Sequence, residues 1–431
     1  MKLFRSIVFW THLVAGLCAG LIILVMSVTG SALAFDPQIT TWAESSSRRI
    51  EPAQPDEYRL NLDQLLARAK AARPDEEPSA VTFYPEATSA VRVGTGREGG
   101  VFVDPYRGSV RDLGGQSWRG FSRFMLRWHR WLGAEGEGRD LGRAIKSIAT
   151  LALMFMAVSG LYLWWPRRWT RRVLRKSLWF RRGLSGKARD FNWHNTFGFW
   201  ALPLILVITA SGTVLAYDWA RGLLFRAAGE APPAGRAQTP PPPIAARPPG
   251  TPRVRLDAIH ALLARQAPSW TSATLRLGNG REEPAAGGRG RERGKSDGMS
   301  GGGERREGEP GARAGRGPAG SRALMLMVKQ RDAWPRSANL TIWLDPFSGE
   351  PLRAEGFSDV TGGRRAQIWM RYLHTGEALG WPGQLAALVA AAACGMLVWT
   401  GTALAWRRFR RRGAAVDVAS DVSTEAGTLP A

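Results

Sequence analysis

Four stretches of this chain are each apolar over the roughly 20 residues that a helix needs to cross a bilayer, and a chain so built folds as helices in lipid. They lie at about 6–35, 145–165, 193–217 and 384–406. The first contains no Asp, Glu, Lys or Arg from Ser6 to Phe35. Lys2, Arg5 and the small-residue triplet Ala32-Leu33-Ala34 also fit a secretory leader. The apolar run is, however, about twice a leader's usual core. It is also copied later in the chain, so it reads as a retained span.

The formal net charge of +23 suggests nucleic acid until its placement is considered. Residues 167–189 hold ten Lys and Arg and no acid; RRFRRR follows the fourth span at 407–412. Basic flanks stay on the cytoplasmic side. That rule puts both termini and 167–189 in the cytoplasm of an inner-membrane protein, and the two long intervening regions in the periplasm. The implied partner is the lipid bilayer, with no nucleic acid. Cys18 and Cys394 sit in separate apolar runs and make neither a disulfide framework nor a zinc pattern.

The chain repeats itself. WTHLVAG (10–16) resembles NWHNTFG (192–198), and TGSALAFD (29–36) resembles SGTVLAYD (211–218). RLNLDQLLARAKAARP (59–74) matches RVRLDAIHALLARQAP (253–268), each an amphipathic helix stopped by proline. Alternating strand-like stretches follow, at 80–85, 90–94 and 101–108, then at 273–278, 323–329 and 340–349. RWHRWLG (127–133) corresponds to RYLHTGEALG (371–380), and VSGLYLWWPRR (158–168) to WTGTALAWRR (399–408). The unit is span, external α+β module, histidine helix, span. Residues 231–252 (Pro-rich) and 279–322 (Gly/Arg/Glu-rich) read as inserts without a core.

Four of the five histidines fall at matched positions: His12 with His194, and His129 with His374. The fifth, His260, matches Leu66 and reads as incidental. The first pair lies near the cytoplasmic ends of spans one and three, the second just outside the external ends of spans two and four. An imidazole in a membrane calls for a partner, whether helix backbone, ligand or metal. Zinc would want three or four protein ligands. Haem iron suits a pair best, because the macrocycle supplies four nitrogens and the protein adds two axial imidazoles. Gly16 and Gly198, one turn after their histidines, would let a flat ring approach, or let helices pack closely. Trp10, Trp193, Trp128 and Trp131 could line such a ring, and Arg127, Arg130 and Arg371 could meet its carboxylates.

These motifs together resemble the PepSY-associated transmembrane family, which includes iron-regulated inner-membrane proteins and ferric-siderophore reductases. The resemblance rests on the His-x4…TG…A-F/Y-D span, the LDxxLxxA…P helix with its D-P-aromatic-x-G turn, and the His…[ST]-G-x-x-x-W span. It implies two b-type haems with His12, His194, His129 and His374 as axial ligands to iron, and electron transfer across the membrane. Ferric-siderophore iron, or another periplasmic acceptor, is then the expected destination. No dinucleotide fingerprint or P-loop is present, so a quinol or a cytoplasmic reductase is the expected donor. No proteolytic residue set is found. Two other readings stay open: a non-redox sensor or accessory protein whose modules bind a peptide, an envelope protein or a siderophore, and a proton or metal transporter relaying through the histidines.

The expected fold is an α-helical integral membrane protein, four spans in two tandem repeats, each with a PepSY-like module. Span one covers 1–35, module one 36–118, and the first histidine helix with span two 119–166. A basic loop follows at 167–192, span three at 193–217 and module two at 218–365. The second histidine helix with span four takes 366–406, and a tail 407–431.

Overall fold

The computed structural model describes residues 2–54, 57–95, 99–166, 169–232, 241–245, 248, 251–277, 323–336 and 338–425. Insert 279–322 and most of 233–250 lie outside the described residues.

Four helices have the length and apolarity to cross a membrane. They are α1 (Lys2–Leu33), α6 (Gly138–Trp164), α8 (Gly186–Ala216) and α12 (Trp381–Glu425), the last apolar through its first part. Between α1 and α6 lie α2 (Asp36–Ala43), α3 (Ser45–Arg48), α4 (Leu62–Ala72), strands β1 (Pro78–Phe83), β2 (Val91–Thr95), β3 (Gly99–Val103) and β4 (Val110–Asp112), and α5 (Gln116–Trp131). After α7 (Arg171–Leu178) and α8, the same kinds of element follow. They are α9 (Asp218–Ala227), α10 (Leu256–Gln266), β5 (Trp270–Arg276), β6 (Leu324–Gln330), β7 (Asn339–Leu344), β8 (Pro351–Glu355) and α11 (Gly362–Thr375).

In the bundle, α1 and α8 each pack against both α6 and α12. The shared core is built from small residues, with Ala19, Ala149, Ala201, Ala393 and Cys394 buried beside Ile23 and Ile205. Small side chains let helix backbones approach in lipid, where dispersion rather than water expulsion holds helices together. The ends of the bundle that join the modules are called the module side.

The eight strands form one antiparallel sheet, in the order β4-β3-β2-β1-β5-β6-β7-β8. β1 and β5 join the halves, with Val81 opposite Leu275 and a Thr82–Thr274 hydroxyl contact of 3.0 Å. Two separate α+β units expected from sequence are thus one continuous sheet, because each offers its first strand as an edge to the other and the pairing satisfies both. Alternation along the strands places Val81, Phe83, Val93, Leu275, Leu326 and Ile342 on one face. Leu62, Leu65, Leu256, Ile259 and Leu263 of α4 and α10 cover that face. Removing one such buried leucine side chain costs about 2–5 kcal/mol.

The two D-P-aromatic-x-G turns are built alike. Asp104 Oδ1 accepts from the Tyr106 and Arg107 amides at 2.8 and 3.1 Å, and Asp345 Oδ1 from the Phe347 and Ser348 amides at the same distances. A carboxylate that caps its own turn in this way explains the motif without a catalytic role.

α5 and α11 carry His129 and His374 back to the bundle. α5 has no buried residue, and its exposed Phe121, Phe124 and Trp128 alternate with arginines, the composition of a helix at a lipid–water boundary. The Trp118 indole donates to Asp36 Oδ1 at 3.1 Å, and half-buried Arg119 pairs with buried Glu44, so α5 is fixed over the end of α1. The chain then turns into α6 against Gly142, where a Cβ would collide with the Trp131 carbonyl oxygen. Gly383 serves the second half, where a Cβ would collide with the Gly376 carbonyl oxygen.

Candidate functional site

Each of the four matched histidines rests on a Ser-Gly or Thr-Gly dipeptide of a neighbouring span. His12 Nδ1 lies 2.9 Å from Ser159 Oγ of α6, and His194 Nδ1 lies 2.9 Å from Thr400 Oγ1 of α12. On the module side, His129 Nδ1 lies 2.9 Å from Thr29 Oγ1 of α1. His374 Nδ1 reaches the Ile208 carbonyl of α8 at 3.1 Å, with Ser211 Oγ at 3.4 Å.

The glycine following each hydroxyl residue receives the edge of the imidazole. A Cβ at Gly160 would lie 3.4 Å from His12 Cε1, at Gly401 3.4 Å from His194 Cε1, and at Gly30 3.5 Å from His129 Cε1. At Gly212 it would lie 3.1 Å from His374 Cε1, tighter than an ordinary carbon contact. Each span therefore supplies one clamp: a hydroxyl, or at His374 the Ile208 carbonyl, holds Nδ1 and the absent side chain makes room for the ring.

The clamps also set the tautomer. A hydroxyl has one proton. Thr29 Oγ1 gives its proton to the Val25 carbonyl at 2.7 Å, Thr400 Oγ1 to that of Met396 at 2.7 Å, and Ser211 Oγ to that of Val207 at 2.6 Å. Thr29 and Thr400 must then accept from the imidazoles, so His129 and His194 carry their proton on Nδ1. The Ile208 carbonyl, an acceptor only, fixes His374 in the same way. Ser159 is less committed, since its bond to the Met156 carbonyl is 3.4 Å. An imidazole protonated on Nδ1 presents its lone pair on Nε2, the arrangement of a metal-bound histidine whose other nitrogen is anchored.

The rings of His129 and His374 lie with centroids 6.3 Å apart and planes inclined by 55°. Metal–imidazole bonds of ~2 Å on both sides of one ion leave ring centres roughly 6 Å apart, so both imidazoles of this pair could reach one metal ion. Burial pulls the His129 imidazole down to about 3, aided by the charges of His374, Lys146 and Arg130; burial lowers His374 as well. Both rings are neutral at ordinary pH, the state that binds a metal. On the opposite side, His194 stands within electrostatic reach of His12. One turn before His194, buried Asp190 pairs with Arg189 at 2.9 Å and with Arg407 of α12 at 3.3 Å, tying the two helices together.

The other expected contributors are placed as follows. A Cβ at Gly16 would touch Met156 Sδ at 3.4 Å, and one at Gly198 would touch Leu397 at 3.6 Å, so both face neighbouring spans. Arg127 is ion-paired with Glu135, while Arg130 and Arg371 lie over the rings of Trp131 and Tyr372. His260 packs between Phe83 and Trp270 in the module, far in sequence from the clamps. Among the described residues, no three His, Cys, Asp or Glu side chains gather into a metal cage. The clamp residues are what sequence reasoning missed. Their signal was present: four paired histidines, and one Ser-Gly or Thr-Gly inside each span.

Residues 9–408 match the family described as the PepSY-associated TM region. The chain belongs to this family. The match takes in all four spans, all four clamped histidines and both halves of the sheet. No curated protein matches the chain. Within this PepSY-associated chain, the paired histidines are therefore read from their own geometry.

Proposed function

We propose that this chain is a di-haem b electron-transfer protein of the inner membrane, carrying electrons from the cytoplasmic side to a periplasmic acceptor. The observation that carries the reading is the set of four clamped imidazoles, two on each side of the bundle, with Nε2 left for a ligand in at least three. His12 and His194 would hold one haem and His129 and His374 the other. Haem bound between two imidazoles supplies a one-electron iron couple.

The protein's own part is orientation and exclusion of water. Thr29, Ser159, Thr400 and the Ile208 carbonyl hold the rings, and the small-residue core of α1, α6, α8 and α12 keeps the interior dry. The basic flanks orient the chain with both termini in the cytoplasm and the sheet in the periplasm. Ferric iron in a siderophore is the favoured acceptor, which makes the protein a ferric-siderophore reductase, because oxygen-rich chelators hold the hard ferric ion far better than the ferrous ion. A quinol or a cytoplasmic reductase is the donor.

Vesicles containing the haem-loaded protein test the reading. With a reductant sealed inside and a ferric siderophore plus a ferrous-specific chromophore outside, colour should develop. It should fail with His129→Ala. Equal colour from protein-free vesicles would overturn the reading.

A further inference from the structure

Lys146 lies on α6, one turn before Thr150. Thr150 is at the module-side histidine pair: a Cβ on Gly212 would meet both His374 Cε1 at 3.1 Å and Thr150 Cγ2 at 3.6 Å. Residues four apart share a helix face, so Lys146 occupies the same face one turn nearer the module. Its charge is felt by both His129 and His374. Lys146 is half-buried, and among the described residues its ammonium has neither a carboxylate nor a hydrogen-bond partner. The nearest acid on α6, Asp140, pairs with Arg143 at 3.6 Å. Arg130, the other cation whose charge reaches His129, lies over the Trp131 ring.

The second half of the chain lacks this cation. Aligning Ser159-Gly160 with Thr400-Gly401 puts Gly383 at Gly142 and Ala387 at Lys146. The module-side imidazole pair is thus flanked by a cation from one half of the chain and by an apolar residue from the other. A half-buried ammonium without a counter-ion is costly, and it is expected to be matched by an anion when its site is filled.

We propose that Lys146 is the anion anchor of the module-side histidine pair, binding a carboxylate of the porphyrin held there and raising that centre's midpoint potential above what its imidazoles alone would set. The inference rests on the di-haem reading. A positive charge near the iron favours the reduced form by Coulomb attraction, and in a low-dielectric interior that attraction is weakly screened. Removing the ammonium leaves the carboxylate uncompensated and pushes the potential down.

The test compares wild type, Lys146→Met and Lys146→Arg as purified haem-loaded proteins in optical redox titration. His129→Ala identifies which midpoint belongs to the module side. Lys146→Met keeps the length of the side chain and removes a desolvated charge, so folding should survive; the melting temperature of the haem-free variant checks this. The expected result is a lowered module-side midpoint, or loss of that haem alone, in Lys146→Met, with the other midpoint unmoved and Lys146→Arg close to wild type. Two haems with both midpoints unchanged in Lys146→Met would overturn the inference and leave the di-haem reading standing. No haem in the wild type would overturn both.

Discussion

His129 of α5 and Thr29 of α1 meet at 2.9 Å, and the hydroxyl proton of Thr29 is already given to the Val25 carbonyl. One short contact therefore fixes both the direction of the imidazole and its proton. Thr29→Val keeps the shape and removes the acceptor. It should weaken haem retention by about 10–100-fold, the usual effect of losing such an outer partner. Haem-to-protein ratio during dilution in detergent measures it, and haem retained at wild-type affinity would refute the clamp.

The glycines of the clamps are graded by space. Gly212→Ala puts a methyl 3.1 Å from His374 Cε1, whereas Gly160→Ala puts one 3.4 Å from His12 Cε1. The first must displace the ring; the second needs little adjustment. Low-spin absorbance should be lost at one centre in Gly212→Ala and largely kept in Gly160→Ala. Equal loss in both would show that ring position is not set by these contacts.

His260 gives the module a pH response. Burial against Phe83 and Trp270 lowers its imidazole to about 4, against 6.5 for the free side chain. The unfolded chain binds a proton below about pH 6.5 while the folded module stays neutral down to about pH 4. Stability is therefore full above that window and falls as the pH drops through it, by up to about 3 kcal/mol before water penetration reduces it. His260→Leu, the residue type found at matching Leu66, should flatten this part of the curve. Thermal melts of wild type and variant from pH 7 to pH 4 supply the comparison.

Much of this architecture was legible because its signals are local. Apolar length marked the spans, and alternation marked six strands. Proline and Leu-Asp pairs bounded α4 and α10. β4 and β8 were not legible, since Val110–Asp112 is three residues long and Pro351–Glu355 begins with proline and has only one large apolar residue. The joining of β1 to β5 could not be read either, because backbone edges carry no side-chain signature. The matched histidines were visible as repeats. Their clamps were not, because which hydroxyl meets which imidazole depends on how helices far apart in sequence pack. The same limit explains Gly16 and Gly198. Their spacing from the histidines was correct for one helix face, yet that face turns toward Met156 and Leu397.

The most direct test of the account is the absorption spectrum of the purified protein, expressed with ample haem, before and after dithionite, with a haem-to-protein ratio. The account predicts low-spin b-type bands at two haems per chain, falling to one in His12→Ala and to one in His374→Ala. No haem, in protein from cells that load a control cytochrome, would contradict it.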